Sequence, residues 1–121
     1  MDKKLTGRWG EEQAAGYLKK KKYKIVGMNY SCRFGEIDII AQKGDYIVFV
    51  EVKTRKNADF AQAREFVTKT KQQRIITAAR FWLAANPSGL QPRFDVIEIY
   101  APRGADGPVG EINHIENAYE V

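Results

Sequence analysis

Residues 47–54, Ile47-Val48-Phe49-Val50-Glu51-Val52-Lys53-Thr54, would be apolar on both faces of a strand until one face turns ionic. Successive side chains of a strand point to opposite faces, which puts Ile47, Phe49, Glu51 and Lys53 on one side and Val48, Val50, Val52 and Thr54 on the other. A strand apolar on both sides is central and covered twice, so the chain must supply one apolar layer above the sheet and another below it. Charges at the end of such a strand are costly unless they are paired or hold a cation. The preceding strand, Gly35-Glu36-Ile37-Asp38-Ile39-Ile40-Ala41, is interrupted by Asp38 in the same way, with Glu36 on the same face. Two readings are open. One is a cross-strand ion pair of Asp38 with Lys53 at a sheet margin. The other is a joint site, in which the surplus of carboxylate over lysine calls for a divalent cation beside a general base or charge stabiliser.

The covering layers are legible in the helical periodicities. Residues 5–21 read as a helix whose face carries Glu11, Ala14, Ala15 and Leu18 at i, i+3, i+4 and i+7. Glu11 thus sits on an apolar stripe, either as a helix-start acid favoured by the dipole or as a further member of the acidic site. Residues 68–86 form a second periodic helix with Ile75, Ile76, Ala79, Trp82 and Leu83 on its buried stripe and Gln72 extending it, stopped by Asn86-Pro87-Ser88-Gly89. Between the helices, residues 23–33 and the two strands already described are joined by short turns, which predicts an antiparallel meander. Residues 93–100 read as a strand reached by a parallel crossover through the second helix. Residues 111–121 are expected to add one short strand. Residues 57–66 are a loop of mixed polarity, either a plain connector or a gate over the site.

With 121 residues, 44% of them hydrophobic and 12% aromatic, residues 1–121 are expected to fold as one domain around an ordinary core. No apolar run approaches the roughly 20 residues of a membrane helix. The start, Met1-Asp2-Lys3-Lys4, leads into an amphipathic helix and lacks the apolar core of a secretory signal, and the expected location is the reducing cytoplasm. A lone Cys32 and a lone His114 leave no internal disulfide and no Cys/His zinc set, so any metal is held by oxygen, which points to Mg2+ or Mn2+.

A net charge of +5 and a pI of ≈ 9.4 favour a polyanionic partner. The Lys19 to Lys24 cluster is either a C-terminal helix cap or a contact surface. The second basic cluster frames the acids. Arg55, Lys56, Lys69, Lys71 and Arg74, with Gln72 among them, are the candidates for contact with nucleic acid.

The spacing Asp38-x(12)-Glu51-Val52-Lys53, in an order of helix, three strands, helix and strand, resembles the PD-(D/E)XK nuclease superfamily, which includes restriction endonucleases and archaeal Holliday junction resolvases. Ile37 stands where the superfamily label has proline. Gly7-Arg8-Trp9-Gly10-Glu11, Gly35-Glu36-Ile37-Asp38-Ile39-Ile40-Ala41, Val48-Phe49-Val50-Glu51-Val52-Lys53-Thr54-Arg55 and Arg93-Phe94-Asp95-Val96 are more closely similar to the uncharacterised bacterial YraN family, over essentially the whole chain. The resemblance implies an α/β restriction endonuclease-like fold of three layers, with a mixed sheet in αβββαβ order. It implies Asp38 and Glu51 as magnesium ligands, the Val52 carbonyl as a third, Glu11 completing the set, and Lys53 orienting or activating the attacking water. The activity implied is DNA phosphodiester hydrolysis, on branched or structured substrates, by a homodimer that pairs two sites. A non-catalytic nucleic-acid-binding module with the same fold is the alternative.

Overall fold

The strand that had to be covered twice lies in the middle of the sheet. In a computed structural model, which describes residues 3–55, 67–104 and 107–120, the elements are α1 (Lys3–Lys20), β1 (Lys24–Cys32), β2 (Gly35–Lys43), β3 (Tyr46–Arg55), α2 (Lys69–Ala85), β4 (Gln91–Tyr100) and β5 (Glu111–Tyr119). The five strands run in the order β1-β2-β3-β4-β5, antiparallel except for the parallel pair β3 and β4. The meander and the parallel fourth strand are as the connection lengths require. β5 is nine residues long, a full strand in place of the short one expected.

The two faces of β3 find the two layers they need. Val48 and Val50 pack with Ile39, Ala41, Ile97 and Ile99 beneath Ala14, Ala15 and Leu18 of α1. Ile47 and Phe49 pack with Ile37, Ile40, Phe94 and Val96 beneath Ile75, Ile76, Ala78 and Ala79 of α2. Among the described residues, no helix is long and apolar enough to cross a membrane.

α1 ends where Lys22 adopts a left-handed φ of 70° and the N–H groups of Lys21 and Tyr23 donate to the carbonyls of Tyr17 and Leu18. This closes the helix as a glycine usually does, and Lys19 and Lys20 lie in its negative last turn. These lysines therefore fit the cap reading. Midway along its length, α1 lies so close to β3 that a Cβ on Gly10 would overlap Thr54 Oγ1. Gly10→Ala is therefore expected to destabilise the protein by a net ~1–2 kcal/mol. The overpacking costs ~1–3 kcal/mol, and the better helix propensity of alanine returns part of it. A lower urea midpoint with an unchanged slope would verify the effect; an equal or higher midpoint would refute the close approach.

Candidate active site

Strict alternation fails at Asp38. Ile37 packs on the α2 side and Ile39 on the α1 side, although they are two residues apart. The β2–β3 ladder stops at Ile39 opposite Val50, whereas β2 stays paired with β1 through Ile37, Glu36 and Gly35. Where the two backbones part, the Asp38 side chain fills the gap: its Oδ2 accepts the Val52 N–H at 2.8 Å. Opposite Asp38 on β1, Asn29 takes a left-handed φ of 54°, a conformation asparagine tolerates better than most residues.

The sheet uses the same device a second time, with opposite electrostatics. The β4–β5 register slips between Phe94 and Val96, and Asp95 Oδ1 accepts the N–H of Asn117, itself at φ 51°. Asp95 is fully buried but well served. Arg93 donates to both its oxygens at 2.9 and 2.8 Å, and His114 Nε2 lies 2.7 Å from Oδ2. Burial raises its pKa, but the hydrogen bonds from His114 and Arg93 outweigh this and hold the carboxyl below its usual range. Asp38 has no such cation. Burial and then the charge of Glu51 push its carboxyl up to about 8, against the lowering effect of the Val52 N–H. Asp95 is satisfied by the chain; Asp38 is half-buried and makes no ion pair of its own among the described residues, with Lys71 acting on it only through its charge.

Glu51 is buried on the α2 face of β3, as the alternation requires. Its Oε1 lies 3.5 Å from Lys53 Nζ and forms a tighter ion pair with Lys71, which reaches over from the first turn of α2. The ion pair entertained for Asp38 and Lys53 is thus replaced by one centred on Glu51. Burial, and then Lys71 beside it, lower the pKa of Lys53, while Glu51 works the other way. Lys71 is desolvated as well, yet its hydrogen bond and charge interaction with Glu51 prevail and raise it. Of the two lysines, Lys53 is the one whose pKa is lowered.

Glu11 reaches the same region from α1. Burial raises its pKa, a hydrogen bond from Asn29 lowers it, and the charges of Glu36 and Glu51 raise it further. The apolar stripe of α1 therefore does carry its acid to the acidic end of the sheet. Asp38, Glu51 and Glu36 line an open cleft of about 530 Å3 whose other wall is the start of α2, with Thr68, Lys71 and Arg74. Thr68 caps that helix by accepting the Lys71 N–H at 3.1 Å. The first turn has no acid and two lysines, Lys69 and Lys71, which is unfavourable for the helix dipole and concentrates positive potential at the cleft.

Other expected contacts fall elsewhere. The Gln72 side chain donates to the Val67 carbonyl at 2.9 Å and so secures the helix start. Arg55 Nε lies 3.3 Å from Oε2 of Glu98, a fully buried acid that also accepts from Tyr100 Oη and Asn113 Nδ2, both at 2.7 Å. The N–H of Val52 is the group engaged by Asp38. Lys56 and the loop of residues 57–66 lie outside the described residues. Asn29, Thr68 and Glu98 were not anticipated as parts of the site and its surroundings. Glu98 carried the signal that found Asp38, an acid inside an apolar run; Asn29 and Thr68 carried none.

The donor set is all oxygen and suits a hard divalent cation. Among the described residues, no three acidic, histidine or cysteine side chains are gathered about one point; Glu51 is paired with Lys71, and Asp38 accepts the Val52 N–H. The electrostatics nevertheless make a prediction. A carboxyl whose folded pKa is raised contributes stability that is complete below the usual value of 3.8 and lost as pH rises through about 8. Metal-free protein should therefore lose ~2–4 kcal/mol between about pH 4 and pH 8. Asp38→Asn should flatten that slope and be more stable than the wild type at pH 7. Millimolar Mg2+ or Mn2+ should restore stability at high pH in the wild type alone. Calorimetry across pH in EDTA and in metal measures all three; a wild-type curve that is level over this range would refute the assignment.

The mixed sheet between two helices, with its acids at the parting of β2 and β3, is compatible with a restriction endonuclease-like fold. Comparison with known proteins identifies the lineage. The chain belongs to the uncharacterised protein family UPF0102, whose model matches residues 10–99, in agreement with the YraN-type motifs. It is 45% identical over 120 residues to a UPF0102 protein of Caldanaerobacter subterraneus, covering 98% of each chain. A UPF0102 protein of Geotalea uraniireducens is 46% identical over 121 residues, covering 99% of this chain and 93% of the relative.

Proposed function

We propose that the protein is a metal-dependent endonuclease that hydrolyses phosphodiester bonds in DNA, with Asp38 and Glu51 as the principal ligands of Mg2+ or Mn2+. The observation that carries this reading is the contrast between the two ladder-filling aspartates: Asp95 is ion-paired within the fold by Arg93 and His114, and Asp38, held by the Val52 N–H, lies with Glu51 in an open cleft with a basic wall. Glu11 and the Val52 carbonyl complete the proposed ligand set. A bound divalent ion would supply charge to stabilise the phosphoryl oxygens in the transition state.

The chain's own groups have distinct tasks. Lys53, its Nζ 3.5 Å from Glu51, orients the attacking water and stabilises the negative charge that develops on the phosphoryl oxygens, while the water's proton passes to solvent. Water attacks phosphorus in line, a P–O ester bond breaks, and the departing sugar oxygen takes up a proton from solvent. Lys71, paired with Glu51 in the metal-free protein, would be free to face the phosphate if Glu51 held a cation, with Arg74 on the same wall. The proposed setting is the cytoplasm, and two copies on a symmetric substrate would provide paired cuts.

A non-catalytic DNA-binding module is the second reading. It is favoured by Lys71, which lets the cleft stand with its own countercharge. Incubation with plasmid and with branched DNA in Mg2+, Mn2+ or EDTA separates the two. Cleavage in metal and none in EDTA supports the nuclease; salt-sensitive binding in EDTA with no cleavage in any metal supports the module.

A further inference from the structure

Beyond the acidic cleft, the molecule exposes a feature that its core does not need. Phe81 on α2 is 54% exposed, the most exposed large hydrophobic side chain among the described residues. It is not isolated. Its ring centroid lies 5.7 Å from that of Phe34, which is carried by the turn between β1 and β2, and the Arg33 guanidinium lies 4.9 Å from the Phe34 centroid. Thr70, Arg74, Thr77 and Phe81 fall at i, i+4, i+7 and i+11 and form one stripe of α2. Beside Phe34 is a hollow of about 350 Å3 lined by Phe34, Thr70, Gln73, Arg74 and Thr77, with no carboxylate among them.

The hollow is continuous with the cleft. Thr70 and Arg74 line both, and the turn that carries Phe34 runs directly into Gly35 and Glu36 of the cleft wall. That turn lies close enough to α2 for a Cβ on Gly35 to sit 3.4 Å from the Cβ of Arg74. A strand whose phosphate reaches Glu51 would therefore have a neighbouring base at the aromatic pair.

We infer that Phe81, braced by the Phe34 ring that meets it at 59° and with Arg33 and Arg74 nearby, offers a stacking platform for one unpaired base of the DNA strand held in the cleft; this rests on the proposed nuclease reading. Aromatic faces beside arginines are the chemistry that binds single-stranded nucleic acid, because every base offers a π face. A base within a duplex has both faces stacked already and has no free face to offer. The platform thus narrows the substrate class to DNA with an unpaired nucleotide next to the cut: a flap, bulge, gap or open junction arm.

Binding measured in Ca2+, without cleavage, tests the inference. Wild-type protein should bind a gapped or flapped oligonucleotide about ten-fold more tightly than the matching duplex, and should quench 2-aminopurine placed at the unpaired position. Phe81→Ala should lose both the preference and the quenching while keeping its duplex affinity, with only a small fall in melting temperature from the lost contact with Phe34. Phe81→Trp should retain them. Equal binding of gapped DNA by Phe81→Ala and wild type would overturn the platform, as would a concentration-dependent dimer that Phe81→Ala dissociates. Wild-type cleavage in Mg2+ without any preference for unpaired DNA would remove the platform and leave the nuclease standing. A wild type that neither binds nor cuts would remove both.

Discussion

Lys53→Ala is expected to slow DNA cleavage by about 100- to 10,000-fold while changing DNA affinity in Ca2+ by less than about three-fold. The asymmetry follows from position. Lys53 lies against Glu51 with a lowered pKa, so its task is to orient water and stabilise charge that develops only in the transition state. Lys53→Arg should rescue little, because the guanidinium stays protonated and is too broad for a point contact. Glu51→Gln should match Lys53→Ala in rate and weaken metal binding as well. Single-turnover cleavage, with affinity measured separately, distinguishes these effects. A Lys53→Ala protein that cuts like the wild type would end the proposed mechanism.

The second large effect lies far from the chemistry. Asp95→Ala is expected to cost ~3–5 kcal/mol, much of the stability of a domain this size, because it strands buried charge. Arg93 would lose its two-pronged partner, His114 its hydrogen-bond acceptor and the Asn117 N–H its cap. The loss would spread through Arg93 to the Tyr23 hydroxyl at 2.7 Å, and through His114 Nδ1 to the Tyr17 hydroxyl at 3.2 Å. Asp95→Asn, which keeps an acceptor, should cost less. The acid limb of stability belongs partly to this group: its lowered pKa contributes stability that is present above 3.8 and lost as pH falls through the lower, folded value. Urea unfolding of both variants measures the cost, and an Asp95→Ala protein as stable as the wild type would show the network to be dispensable.

The sequence displayed the skeleton of this architecture but not its joinery. The two-sided apolar run of β3 demanded two covering layers, and the periodicities of α1 and α2 supplied them. The ionic end of that strand and the acid on the stripe of α1 pointed to the cleft. The parting of β2 from β3 was invisible, because it depends on Asp38 reaching a backbone amide 14 residues away. The hold of Lys71 on Glu51 was invisible for a similar reason: it spans helix and sheet. Asp95 and Glu98 were visible in principle, since both interrupt the apolar run of β4 as Asp38 interrupts β2. Applied to β4, the same test would have flagged two acids, and only their partners reveal that both are satisfied within the fold.

The open end of the sheet also sets selection for activity against selection for heat tolerance. Asp38 lies beyond the last backbone pair of β2 with β3, so a replacement that still accepts the Val52 N–H leaves the ladder and both apolar layers untouched. Replacing it with asparagine relieves an electrostatic burden. A mutant library of this scaffold screened by melting temperature alone would therefore enrich variants that have discarded the acid, and directed evolution here needs an activity screen from its first round.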